Sequence, residues 1–172
     1  MAVLKVISHT PTENDIGRER KYQDDYTRLN LTHYLSNPEK CVRTGGIGLF
    51  PEHAAYEMWL VARSWGNDSR LRARHFVLSF SPQESMMLGT SRWYHMDRIA
   101  RHVCALYCDN YQIFYAIHRH ETHDHIHFVM NPVNYRNGRK YAGKKKDYYD
   151  LQKWVGTYLW NQYRMRLQTV SE

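Results

Sequence analysis

Cysteine is scarce: the 172 residues hold three, Cys41, Cys104 and Cys108. An odd count without a pairing pattern excludes a disulfide-stapled secreted scaffold and predicts reduced thiols in a cytoplasmic protein. Cys104 and Cys108 lie four apart on an expected helix, a packing spacing. No apolar run approaches the roughly 20 residues that span a bilayer. Met1–Thr10 has no signal-peptide apolar region, so membrane insertion is not expected. Gly45, Gly46 and Gly48 lack the Gly-Lys-Ser/Thr ending of a nucleotide-binding loop. With no internal repeat and no low-complexity linker, residues 1–172 read as one domain with a sizeable core. Acid is the minority charge, 17 Asp and Glu against 24 Lys and Arg, for a net +7. That balance favours a polyanionic partner, nucleic acid before an anionic membrane surface. Hydrophobic content of 42% with 24% charged residues excludes a disordered chain.

Periodicity gives the elements. Val3–Ile7 alternates as a strand, and Ser8–Arg20 is a polar loop. Tyr22–Ser36 is helical over part of its length, with Tyr22, Tyr26, Leu29, Tyr34 and Leu35 as its apolar residues, and ends before Pro38. Cys41–Phe50 is glycine-rich and expected to be a flexible loop. Pro51–Trp65 reads as a helix with Ala55, Met58, Trp59 and Ala62 on its apolar face and Gly66 as its C-terminal cap. Asn67–Arg72 is a turn and Arg74–Phe80 a strand. Ser81-Pro82-Gln83-Glu84 opens a short helix, and Ser91–Tyr107 is a long one. Gln112–Ile117 and Ile126–Met130 are strands, close enough to form an antiparallel pair. After a basic loop at Asn134–Lys146, Asp147 is expected to cap a last helix reaching about Met165, with Leu151, Trp154, Val155, Tyr158 and Leu159 inward. Trp59, Trp93 and Trp154 are expected in the core. The order predicts an α/β two-layer sandwich with a mainly antiparallel central sheet and helices packed on it.

Histidine and tyrosine, by contrast, are plentiful: 11 and 14 residues. Five of the histidines fall within 118–127, between strand-like runs. In His125-Ile126-His127 the side chains alternate, so the two imidazoles share a face while Ile126 takes the other. With His118 they make a three-imidazole set with open positions, the arrangement of a catalytic metal site. In a basic protein, such a site implies cleavage of a nucleic-acid backbone. A tyrosine nucleophile would keep the energy of the broken bond in a covalent intermediate. Arg136–Lys146 holds six basic residues and no acidic one, with Tyr141 among them, a composition suited to single-stranded DNA. Arg70, Arg72 and Arg74 alternate into a strand and are expected to share a face.

These residues carry a resemblance to conjugative relaxases of the MOB-P type, members of the HUH (His-hydrophobic-His) endonucleases. The family's third motif commonly runs His-x-Asp-x-Asp-His-Pro-His-x-His-x-x-x-Asn. Here it stands as His118-Arg-His120-Glu-Thr122-His123-Asp124-His125-Ile-His127-Phe-Val-Met-Asn131. The first motif resembles Tyr34-Leu35-Ser36-Asn37-Pro38-Glu39-Lys40, and the second Arg74-His75-Phe76-Val77-Leu78-Ser79-Phe80-Ser81-Pro82-Gln83-Glu84. The resemblance implies the palm-like sheet of that superfamily. It implies Tyr34 as nucleophile, with Tyr26 the runner-up and His33 a minor alternative, and His118, His125 and His127 as metal ligands. His120 and Thr122 replace the two motif aspartates, so His120, Glu121, His123, Asp124 and Asn131 are the candidates for supporting the ligands. His120 also competes with His118 as a ligand. Arg74, Arg136, Arg139, Lys140, Lys144, Lys145 and Lys146 are the candidate DNA contacts.

The implied activity is site- and strand-specific nicking of origin-of-transfer DNA by transesterification, leaving a 5′-phosphotyrosine and a free 3′ hydroxyl. The implied cofactor is a divalent ion, Mn2+ or Mg2+ first, with Zn2+, Co2+ or Ni2+ as alternatives. The implied partners are single-stranded or hairpin origin DNA, relaxosome accessory proteins and a coupling protein. Relatives are usually longer, so the chain is expected to be either part of a longer relaxase or a minimal one. Two other readings stand beside this one. A rolling-circle replication initiator or single-tyrosine transposase would use a late tyrosine: Tyr148, Tyr149, Tyr158 or Tyr163. A non-catalytic DNA-binding module would use none.

Overall fold

The computed structural model describes residues 1–7 and 25–169. The loop expected at Ser8–Arg20, and Tyr22, lie outside the described residues. The order is β1 (Ala2–Val6), α1 (Thr27–Leu35), β2 (Cys41–Ile47), α2 (Ala54–Ser64), β3 (Arg74–Ser79), α3 (Pro82–Met87), α4 (Arg92–Ala105), β4 (Ile113–His118), β5 (His125–Met130), α5 (Lys145–Tyr163) and β6 (Leu167–Thr169). The strands form one six-stranded sheet in the order β2-β4-β5-β3-β1-β6. Neighbours are antiparallel except β1 and β6. The expected α/β architecture with a mainly antiparallel sheet is therefore present, and β4 and β5 are the antiparallel pair that their short connection predicted.

Period-2 alternation sorts the strand residues onto two faces. On one, Ile113, Tyr115, Ile117, Ile126, Phe128 and Met130 join Phe76 and Leu78 under α4 and α5, which contribute Ile99, Val103, Leu151, Val155 and Leu159. Phe76 and Phe128 stack at 4.8 Å in its centre. On the other face, Phe114, Ala116 and Val129 form a smaller core with Leu35 of α1 and Ala54 and Met58 of α2. The next alternate positions along β4 and β5 on this second face are His118, His125 and His127.

Local chemistry explains several boundaries. Ser81 and Glu84 form a reciprocal capping box: Ser81 N donates to Glu84 Oε2 (2.9 Å) and Glu84 N to Ser81 Oγ (3.3 Å), with Pro82 in the first turn. Gly66, at φ +62°, ends α2 as predicted. Asp147 is not the N-cap of α5. The helix starts two residues earlier, and Asp147 accepts from Lys144 N at 2.8 Å. At its other end α5 stops at Tyr163, Arg164 turns left-handed (φ 56°), and the chain returns as β6, a strand the sequence did not suggest.

Three expectations are corrected. Cys41–Ile47 is the edge strand β2, not a flexible loop. Its glycines serve close approach: a Cβ on Gly45 would lie 2.2 Å from the Tyr115 ring, and one on Gly46 2.4 Å from Leu49. The inward side of α1 is Thr27, Arg28, Thr32 and Leu35, while Tyr26, Leu29 and Tyr34 face out. A polar inner side is tolerated because Arg28 Nη1 pairs with Asp68 at 2.8 Å inside the protein. Finally, α2 buries Ala54, Met58 and Ala62, leaving Trp59 39% exposed, and Trp154 on α5 is 38% exposed. Only Trp93 of the three tryptophans is packed on the main core.

Candidate active site

His118 and His125 are direct cross-strand partners, and His127 stands two residues along β5 on the same face. Their ring centroids lie 5.2 Å (118–125), 4.7 Å (118–127) and 4.8 Å (125–127) apart. One nitrogen from each ring falls within 4.8 Å of the others, close enough for the three to hold one ion. The spare nitrogens are not idle. His118 Nε2 donates to the Leu35 carbonyl (2.7 Å), an oxygen at the end of α1 with no partner inside its helix. His125 Nδ1 donates to the His123 carbonyl at 3.3 Å. His127 Nδ1 meets His75 Nε2 at 2.9 Å. When His127 donates in that contact, its Nε2 lone pair is left for an ion. Each ring thus has one nitrogen fixed by a neighbour and one available, the pattern of oriented metal-binding histidines.

Burial drives these imidazoles toward the neutral, metal-binding form. It lowers the pKa of His118, takes that of His125 to about 4, and takes that of His127 to about 2, neighbouring histidines adding to the last two. The donor set fits a divalent ion: three neutral imidazoles, held by backbone carbonyls and a fourth histidine. His75, buried on β3, was missed in the sequence. Its signal was weak but present: on β3 it alternates with Val77 and Ser79, on the face opposite Phe76 and Leu78.

The other supporting candidates separate. His120, Glu121 and His123 are exposed on the β4–β5 connection. His120 bonds Thr122 through Nδ1 (3.1 Å), and its ring centroid lies 4.5 Å from that of His123 and 6.1 Å from that of His125. Asp124 is buried and turned away, pairing with Arg92 (3.7 Å) and accepting from His120 N (3.4 Å). Asn131 sits at the far end of β5, where Nδ2 donates to Met58 O (3.1 Å) and Gln112 Oε1 (3.0 Å), fastening α2 to the sheet.

Tyr34 lies on the last turn of α1, 61% exposed, directly before the residue whose carbonyl His118 holds. Lys40 Nζ stands 5.9 Å from its ring centroid. Tyr26, at the opposite end of α1, is 67% exposed, and His33 is exposed too. Helix α1 is pinned at both ends, by Arg28–Asp68 and by Leu35–His118. The late tyrosines are elsewhere: Tyr148, Tyr158 and Tyr163 pack on the α4–α5 core, with the sheet between them and the three histidines.

The basic residues also divide. Arg74 is buried, its guanidinium donating to Ala142 O (3.3 Å) and lying 5.5 Å from the Tyr141 ring centroid. Lys140 donates to the Ser69 and Leu71 carbonyls, and Lys146 pairs with Asp150 at 2.5 Å. Arg70 adopts a left-handed φ of 55° and Arg72 pairs with Asp25, so the three arginines make no common strand face. Arg136, Arg139, Lys144, Lys145 and Lys146 remain exposed.

Comparison with known proteins adds a family. A profile described as "Relaxase: MobA/VirD2-like, nuclease domain" matches residues 34–158. No curated protein matches the chain. Among solved structures, one described as "Molecular Basis of Vancomycin Resistance Transfer in Staphylococcus aureus" is similar over 77% of each chain, at 14% identity and a TM-score of 0.46.

Proposed function

The chain belongs to the MobA/VirD2-like relaxases through their DNA-nicking nuclease domain, and from that premise we propose that it is a metal-dependent, site- and strand-specific nickase of the MOB-P type with Tyr34 as nucleophile. His118, His125 and His127 would hold the ion. A divalent ion there, Mn2+ or Mg2+ in the first instance, would polarise the scissile phosphate and offset the charge that develops on its oxygens. Zn2+, Co2+ and Ni2+ also suit three imidazoles. The Tyr34 oxygen attacks phosphorus as its proton leaves, and the bond to the 3′ oxygen breaks. One phosphodiester is exchanged for another, and the released 3′ oxygen takes up a proton. A free phenol, with a pKa of roughly 10, is a weak nucleophile at neutral pH, and Lys40 supplies positive charge beside the ring. The exposed Arg136, Arg139, Lys144 and Lys145 would neutralise strand phosphates. The substrate would be single-stranded or hairpin DNA at an origin of transfer. The setting would be cytoplasmic mobilisation of a plasmid or integrative element, with accessory relaxosome proteins and a coupling protein as partners.

The observation that carries this reading is the His118–Leu35 hydrogen bond, which couples the three-histidine group to the helix turn bearing Tyr34. The test is a denaturing-gel adduct assay with end-labelled origin DNA, in manganese or in EDTA, with the linked peptide mapped. A manganese-dependent adduct on Tyr34, absent in Tyr34→Phe, is the expected result. An adduct on an α5 tyrosine would move the chain to the replication-initiator or transposase branch. Tight, salt-sensitive DNA binding with no adduct would leave a binding module.

A further inference from the structure

Helix α2 has two unlike sides. Ala54, Met58 and Ala62 are at most 1% exposed and pack on the sheet. At the outward positions stand Tyr56 (61% exposed), Trp59 (39%), Leu60 (47%) and an exposed Arg63. Their spacing, i, i+3, i+4 and i+7, makes one continuous stripe on a helix. The rings are arranged as a platform: Tyr56 and Trp59 centroids are 5.8 Å apart with planes tilted 31°, and the Arg63 guanidinium lies 5.6 Å from the Trp59 ring. Helix α2 packs on the same sheet face as α1, against α1 itself. Its only carboxylate, Glu57, accepts from Phe50 N at the helix start, away from Arg63.

The end of α2 is also fastened to the basic loop. Past the end of α2, Trp65 Nε1 donates to Tyr135 O (3.2 Å) and Asn67 Nδ2 to Gly138 O (2.7 Å). Gly138 has φ +71°, and a Cβ there would lie 2.8 Å from the Trp65 ring, so the loop is fastened closely to the helix end. Within it, Arg136 N and Arg139 N donate to the Asn134 and Asn137 side chains, while both arginine side chains stay exposed.

We propose that Tyr56, Trp59 and Arg63 of α2, with Arg136 and Arg139 of the fastened loop, form a sequence-independent track for single-stranded DNA. It extends the phosphate-contacting loop onto α2, and it rests on the reading of the chain as a DNA nickase. Flexible single-stranded bases stack on the two rings, and the arginines meet phosphates. The stripe from Tyr56 to Arg63 runs about 10 Å along the helix axis, room for two or three stacked bases. Charge and aromatic spacing together select nucleic acid over an apolar protein partner.

The test uses the full chain and a fluorescein-labelled 30-residue oligothymidylate containing no origin sequence, in EDTA. Trp59→Ala is expected to weaken binding about tenfold or more, and Trp59→Phe to restore most of it. The salt dependence of log Kd should be unchanged in Trp59→Ala. In Arg63→Gln/Arg136→Gln/Arg139→Gln it should fall by about 0.7 for each phosphate that an arginine no longer neutralises. Unchanged affinity in Trp59→Ala, with the variant folded by thermal melt, would overturn the track and assign the stripe to a protein partner. Because no cleavage is read, the two ideas fail separately. A chain that forms no adduct yet loses oligothymidylate affinity keeps the track, and a chain that nicks with unaltered affinity does not.

Discussion

The two faces of the central sheet are built from the same strands and do opposite work. On β5, His125 and His127 alternate with Ile126 and Phe128, one residue apart. The face under α4 and α5 is closed by large apolar side chains, and its polar exceptions are tied off: Tyr115 OH donates to Asp97 at 2.7 Å, and Arg101 and Arg43 surround the same carboxylate. The opposite face packs against the shorter α1 and α2, and one end of it carries imidazoles. The difference shows how a fold separates stability from chemistry without separating them in sequence. The thick core holds the strand register, and that register brings His118 opposite His125.

The division between faces can be broken most sharply at Tyr34. Tyr34→Phe should lower nicking by about 10³-fold or more, while the melting temperature stays put because the side chain is exposed; a shared loss would show that α1 stabilises as well as reacts. Next comes a pair on one strand. Ile126→Ala should cost about 2–5 kcal/mol in urea unfolding and leave the manganese affinity of the folded protein intact. His125→Ala should do the reverse. If both variants lose both properties, the division is wrong. A finer probe is His75→Gln, read by titration calorimetry with manganese. Removing the imidazole that orients His127 should weaken the ion by about 10–100-fold, with little change in urea midpoint.

The smallest expected effect is the pH dependence of the metal-free protein. His118, His125 and His127 have lowered pKa values in the folded state, His125 to about 4. Below their ordinary value of about 6.5 the unfolded chain takes up protons that the folded chain refuses. Stability in EDTA should therefore fall as the pH drops from about 6.5 toward 5. Asp97, lowered because the bonds from Tyr115 and Arg101 outweigh its burial, begins to lose its contribution only below the ordinary aspartate range. The slope should flatten in His127→Gln, and an identical slope there would move the effect to other groups, such as the half-buried His102.

Much of this was legible beforehand. Alternation in His125-Ile126-His127 assigned the two imidazoles to one face and Ile126 to the other, and the capping signal at Ser81 named a helix start to the residue. Local rules fix both, since each depends on neighbours a few positions away. The same rules misread Cys41–Ile47, because they count glycine as a turn signal. Here Gly45 exists to admit the ring of Tyr115, seventy residues later in the chain. They misread α1 as well, because a buried arginine is acceptable only when Asp68 is there to meet it.

The sequence by itself marked the candidates for the chemistry: a tyrosine-bearing early segment, three spaced histidines, an excess of positive charge and alternating strands to present them. Only the tertiary structure decided how they are used. Pairing β3 with β5 set His75 against His127, docking α1 on the sheet set Leu35 O on His118, and folding the basic loop spent Arg74 and Lys140 on internal carbonyls. The physical reason is range. Periodicity and capping act over a few residues, whereas the partner of a buried polar atom is chosen by whatever the packed chain brings to it.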